Sequence, residues 1–147
     1  MYRHILIPTD GSELAERAVT HGLSLAKFLE AEVTVIIVLE QLGAWVSFAE
    51  HGPAPETFVK YTEQIKKHAT SVLNRVANAA KQAGVPCDTI QVEDVHPHQA
   101  IIATATDRGC DLIVMASHGR GGLSAVVLGS VTNKVLTHTE TPVLVCQ

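Results

Sequence analysis

Residues Ser117 to Ser130, SHGRGGLSAVVLGS, set four glycines around a short apolar stretch, directly after an aliphatic run that reads as a buried strand. Glycine lets backbone N–H groups turn inward and approach a ligand closely. The last small pair, Gly129 and Ser130, falls where a helix begins, and a helix start offers unpaired N–H donors at the positive end of a dipole. Together these favour phosphate without any lysine, with the Ser130 hydroxyl as a further donor. Near the other end of the chain, PTDGS places Asp10 just past an apolar run. A carboxylate repels phosphate at close range but accepts hydrogen bonds from ribose hydroxyls, as acidic residues do in other dinucleotide folds. An adenine ring would lie against Val38, where a second aliphatic run ends, reading its backbone groups. These residue types point to a nucleotide.

For Asp10 and the glycines to meet one ligand, both must leave the same end of one sheet. HILIP and VTVIIVL (Val33 to Leu39) are unbroken aliphatic and β-branched runs, the pattern of parallel strands covered on both faces. DTIQVED, DLIVMAS and TPVLVC supply three more. Helical stretches lie between them, from Glu13 to near Leu29, from near Glu56 to Ala83, from Pro97 to near Arg108, and from Ser130 to near Thr137. Pro97 suits a first helical position, and Gly84 and Gly109 sit where helices end. Asp10 with Glu13 resembles a capping box. This alternation predicts an α/β fold, a doubly wound five-stranded parallel sheet with helices on both faces.

Ligands of such sheets bind beyond the carboxyl ends of the strands, where the strand order reverses. Order 3-2-1-4-5 puts the reversal between strands one and four, and order 2-1-3-4-5 puts it between one and three. The exits PTDGS and SHGRGG are rich in glycine and polar groups, whereas EDVHPH after the third strand has no glycine. The chemistry favours 3-2-1-4-5.

With ILIPTDGS near its start, DLIVMASHGRGGLSAVVLGSVTNKVL near its end and the closing TPVLV, the chain resembles the universal stress protein family, single-domain form, over essentially its full length. The glycine motif of the nucleotide-binding members, Gly-x-x-Gly-x9-Gly-Ser/Thr, reads here as Ala116-x-x-Gly119, nine residues, then Gly129-Ser130. Ala116 replaces the first glycine. The resemblance implies that Asp10 binds ribose, that the Val38 backbone with Pro8 and Thr9 receives adenine, and that Gly119, Gly129, Ser130 and Val131 contact phosphates. Met115, Ala116 and Ser117 complete the expected site at the end of the fourth strand. Arg120 either steadies a polyphosphate or faces solvent. The implied ligand is ATP or AMP, with Mg2+ riding on the phosphates. The resemblance also implies a homodimer through Val143 to Val145, since TPVLVC would otherwise be a bare apolar edge.

The remaining features bound these readings. The 147 residues, 46% hydrophobic and 18% charged, fit one globular domain. A net charge of -4 gives no grip on nucleic acid or anionic membrane. No apolar run suits a signal peptide or a membrane span, so the expected location is cytoplasmic. Cys87, Cys110 and Cys146 lack Cys-x-x-Cys spacing and read as reduced thiols. No Gly-x4-Gly-Lys-Ser/Thr motif is present, and GRGG follows the fourth strand rather than the first, which disfavours kinase, ATPase and nicotinamide classes. Slow hydrolysis stays open. Ser130, His118 and Asp10 invite a hydrolase reading, set aside because Ser130 opens a helix without a nucleophile elbow. Asp94, His96 and His98 form a conceivable zinc or nickel set, but the proline between the histidines favours a polar turn. The long connection Glu40 to Pro55, carrying Trp45 and Phe48, reads either as an insertion or as a flap over the ligand.

Overall fold

The computed structural model describes residues 1–40, 55–119 and 127–147. Trp45 and Phe48 of the long connection, and Arg120 with the two glycines after it, lie outside the described residues. In chain order the elements are β1 (His4–Pro8), α1 (Glu13–Leu29), β2 (Glu32–Val38), α2 (Pro55–Ala83), β3 (Cys87–Val92), α3 (Pro97–Asp107), β4 (Leu112–Ala116), α4 (Ser130–His138) and β5 (Val143–Cys146). The five strands form one sheet in the order β3-β2-β1-β4-β5, the order expected from the glycine-rich exits. All pairings are parallel, with Ile5 opposite Val33 on one side and Leu112 on the other.

Side chains of a strand alternate between the faces of its sheet, so an unbroken aliphatic run needs cover on both. Ile5, Ile7, Val33, Val35 and Ile37 pack against Val19 and Leu23 of α1 and against Ala69, Val72 and Val76 of α2. Leu6, Ile36, Ile113 and Met115 face the other way, toward Ile101 and Ala105 of α3 and Val135 of α4. Helix α1 comes close to the sheet through Gly22, where a Cβ atom would stand 2.5 Å from Ile7 Cδ1 and 3.5 Å from Val114 Cγ1.

The local stops have identifiable causes. Pro97 begins α3 within its first turn, while Gly84 and Gly109, with φ of +74° and +66°, end helices in the left-handed region. Strand β3 ends two residues before the expected DTIQVED stretch does. There the Asp94 carboxylate accepts the His96 N–H at 2.8 Å and starts the turn into α3. All three cysteines are free thiols. Burial pushes the Cys110 thiol up to about 11 and raises Cys87 and Cys146 as well, which disfavours the reactive thiolate. Among the described residues, no helix is long and apolar enough to cross a membrane.

The contact at Gly22 generates a test. Gly22→Leu forces a branched side chain into the fully buried Ile7 and should destabilise the fold by about 1–3 kcal/mol in urea unfolding. An unchanged unfolding midpoint would contradict the close α1–sheet packing.

Candidate functional site

At the carboxyl end of the sheet the chain leaves β1 and β4 in opposite directions, opening a crevice between the two exits. On the β1 side, Thr9 N–H donates to Ile36 O at 2.9 Å and closes the ladder with β2. Gly11, at φ 77°, then turns its N–H back onto the Thr9 hydroxyl at 3.2 Å. Further along β2, Leu39 N–H donates to Val92 O at 2.7 Å, toward β3. Alternation along the strand therefore directs the N–H and C=O of Val38 to the β1 side, beyond the point where β1 has stopped. The Val38 backbone thus borders the crevice.

Asp10 does not cap α1, contrary to the expected capping box with Glu13. The cap is Ser12, whose hydroxyl accepts the Ala15 N–H at 3.3 Å. Asp10 lies two residues earlier, and its Oδ1 accepts the Ser12 N–H at 2.9 Å. The left-handed Gly11 makes the difference, because it carries the chain through a turn before the helix can start. The other carboxylate oxygen faces Gly119, where a Cβ atom would lie 2.5 Å from Asp10 Oδ2. Glycine at 119 provides room for that carboxylate, not a special φ.

On the β4 side, Ser117 N–H extends the ladder to Cys146 O, and Ser117 O accepts the Gly129 N–H, both at 2.8 Å. The buried Thr132 hydroxyl donates to Ala116 O at 2.9 Å. These bonds strap the first turn of α4 to the end of β4. A Cβ on Gly129 would meet His118 Cα at 2.9 Å and Ser117 O at 3.4 Å, so only glycine allows this approach. The first bond inside the helix runs from Asn133 N–H to Gly129 O. No described side chain caps α4, which leaves the N–H groups of Ser130, Val131 and Thr132 as its open donors.

These parts enclose a cleft of about 640 Å³. Ile37, Val38, Leu39 and Glu40 form one side, and Tyr61, Gln64, Ile65 and His68 of α2 form another. Asp10 lines it together with His118, Gly119, Gly129, Ser130, Val131 and Thr132. Of the residues expected from sequence, Asp10, Val38, Gly119, Gly129, Ser130 and Val131 meet here. Thr9, Met115, Ala116 and Ser117 are buried and Pro8 is half-buried; none of the five lines the cleft. Ala116 lies within β4 with its carbonyl held by Thr132. The only non-glycine residue with positive φ among the described residues is Glu30, so the alanine methyl fits without strain. The Gly129 N–H is already bonded to Ser117 O, so this residue contributes close packing rather than a donor.

The α2 wall was not read from the sequence. Its signal was present: Tyr61, Gln64 and His68 recur at spacings of three and four, one face of a helix. That stripe is polar, whereas the apolar stripe of Phe58, Ile65, Val72 and Val76 accounts for the helix as core, and its Ile65 reaches the cleft as well. The hydrolase trio is not assembled into a relay, since His118 Nδ1 is engaged by the Ser117 hydroxyl at 3.1 Å. Likewise Asp94 is committed to the turn before α3, and the His96 and His98 rings stand 6.1 Å apart edge to face. Among the described residues, no group of three or more His, Cys, Asp or Glu is placed to hold a metal ion.

The sequence model of the universal stress protein family matches residues 1–147. This chain belongs to that family. Universal stress protein MJ0531 of Methanocaldococcus jannaschii is 34% identical over 145 residues, covering 99% of this chain and 82% of the relative. Universal stress protein YxiE of Bacillus subtilis is 31% identical over 147 residues, with 99% of each chain covered. The solved structure of MJ0577, also from M. jannaschii, superposes with a TM-score of 0.82 at 31% identity, covering 99% of this chain and 96% of that one. Two more distant structures share the fold. One is a universal stress protein in complex with cAMP (TM-score 0.68, 22% identity, 98% and 95% covered). The other is the universal stress protein of Archaeoglobus fulgidus in complex with dAMP (TM-score 0.65, 19% identity, 99% and 98% covered).

The packing at Gly129 carries a prediction. Gly129→Ala places a methyl against unyielding backbone and should cost about 1–3 kcal/mol in chemical denaturation. Full stability of the variant would contradict the strap between β4 and α4.

Proposed function

We propose that this universal stress protein binds an adenine nucleotide, AMP or ATP, in the cleft between the β1 and β4 exits, and acts as a stress-response sensor or regulator rather than a turnover enzyme. The observation that carries this reading is the open first turn of α4 facing Asp10 across one cleft. A volume of about 640 Å³ suits a small-molecule ligand. Phosphate would take the N–H groups of Ser130, Val131 and Thr132 and the Ser130 hydroxyl, where dipole and donors act together. Ribose hydroxyls would donate to the Asp10 carboxylate, and adenine would lie at the Val38 backbone. Gly119 and Gly129 give the space for these approaches, while Pro8, Thr9, Met115, Ala116 and Ser117 hold the frame from below. With ATP, Mg2+ would ride on the phosphates. The cAMP and dAMP complexes of the two distant relatives support an adenine nucleotide.

The working form in this reading is a cytoplasmic, single-domain homodimer. Strand β5 ends the sheet, and its VLVC residues are all half-buried. An apolar edge of this kind favours pairing with the same strand of a second copy about a two-fold axis.

Two measurements test the proposal. Denaturing the purified protein should release an adenine nucleotide identifiable by mass, and Asp10→Asn should weaken AMP binding roughly tenfold by removing a charged acceptor. A wild-type chain that carries no nucleotide and does not bind added AMP refutes the reading. Light scattering at micromolar concentration should give the mass of a dimer; a monomer would overturn the β5 pairing.

A further inference from the structure

The charge inventory of the cleft is unusual for a phosphate site. Its described lining contains two carboxylates, Asp10 and Glu40, and no lysine or arginine. The ionisable groups that can become cationic there are the imidazoles of His68 and His118. A nucleotide phosphate brings close to two negative charges, and the end of a helix supplies only about half a positive one. Among the described lining, a protonated imidazole would add to that half charge.

Resting on the nucleotide reading of this cleft, we propose that His118 is its proton-dependent phosphate contact. His118 stands on the α4 side, packed so tightly against Gly129 that a Cβ there would meet its Cα at 2.9 Å. Ser130 follows immediately, with one of the open N–H groups. His68 stands on the α2 wall instead. The half-buried His118 ring is oriented by the Ser117 hydroxyl at Nδ1, 3.1 Å away. Its Nε2 is left as the second nitrogen, and both nitrogens donate once the ring is protonated.

The charged surroundings are accounted for on each side. Toward the cleft lie Asp10, Glu40 and His68. On the opposite side His118 lines a smaller pocket of about 260 Å³ with Gln147 and its terminal carboxylate and with Glu13 and Arg17 of α1. Glu13 and Arg17 are paired with each other at 3.0 Å, so their charges largely cancel. An entering phosphate is then the largest new charge near the imidazole, and it favours the protonated form. Nucleotide binding draws a proton from solvent, and affinity strengthens as pH falls through the range in which histidine titrates. The site thereby responds to two inputs, nucleotide and proton.

Calorimetric titration of the full chain with AMP at pH 7.4, in two buffers of different ionisation enthalpy, reads this directly. The wild type should take up a fraction of a proton per AMP bound. His118→Gln should take up none, and should bind AMP roughly tenfold more weakly at pH 6.5, with little change at pH 8.5. In the wild type, the His118 ring resonance should titrate at higher pH with AMP bound than without, a readout that needs no variant. AMP binding without proton uptake, uptake that persists in His118→Gln, or a His118 resonance unmoved by AMP would each overturn the assignment while leaving the nucleotide reading intact. A wild type that binds no AMP at all overturns both.

Discussion

Two hydrogen bonds organise the functional end of this molecule: Gly129 N–H to Ser117 O, and the Thr132 hydroxyl to Ala116 O. Each links the first turn of α4 to the last residues of β4, and together they fix where the helix starts and which way its open N–H groups look. The contact tolerates no side chain at 129, because backbone of His118 and Ser117 already fills that space. Shift that junction by one residue and the donors of Ser130, Val131 and Thr132 no longer share a cleft with Asp10. The strand order matters for the same reason. Only because β1 neighbours β4 does the acidic turn after one strand come to face the helix that follows the other.

The two helix starts at the reversal point are treated in opposite ways. Helix α1 is closed by its own Ser12, and Asp10 ties down the turn in front of it. Helix α4 has no cap from the described side chains. Leaving a helix N-terminus open costs roughly the 0.5–2 kcal/mol that a capping side chain contributes, and a bound anion restores it. In the proposed reading Asp10 would serve both structure and ligand: one carboxylate oxygen holds the turn after β1, while the other lies so close to Gly119 that a Cβ there would push it aside.

Much of the fold was legible in the residues because its rules are local or nearly so. Unbroken runs such as HILIP require cover on both faces, Pro97 marks a helix start, and Gly84 and Gly109 mark helix ends. The strand order followed from the contrast between glycine-rich exits and EDVHPH. The helix start was legible where a residue type has one dominant use, as with Ser130 opening α4, whereas Gly129 serves close packing, with its N–H bonded to Ser117 O. It was less so where two types compete. Asp10 and Ser12 both suit an N-cap, and the choice depends on the positive φ of Gly11, which sequence spacing does not reveal. Gly119 suggested backbone freedom, yet its role is to leave room for a carboxylate more than a hundred positions away in the chain. The α2 wall was hidden because Tyr61, Gln64 and His68 are unremarkable as the polar side of a long helix until the tertiary fold leans it over the cleft.

Backbone donors at one helix start, rather than cationic side chains, are the heart of this account, and amide resonances report on them individually. In a 1H–15N correlation titration with AMP, the Ser130, Val131 and Thr132 amides should show the largest shifts, with Gly129 moving less because its N–H stays bonded to Ser117. Saturable binding with those three amides unmoved, and the main shifts elsewhere on the molecule, would contradict it.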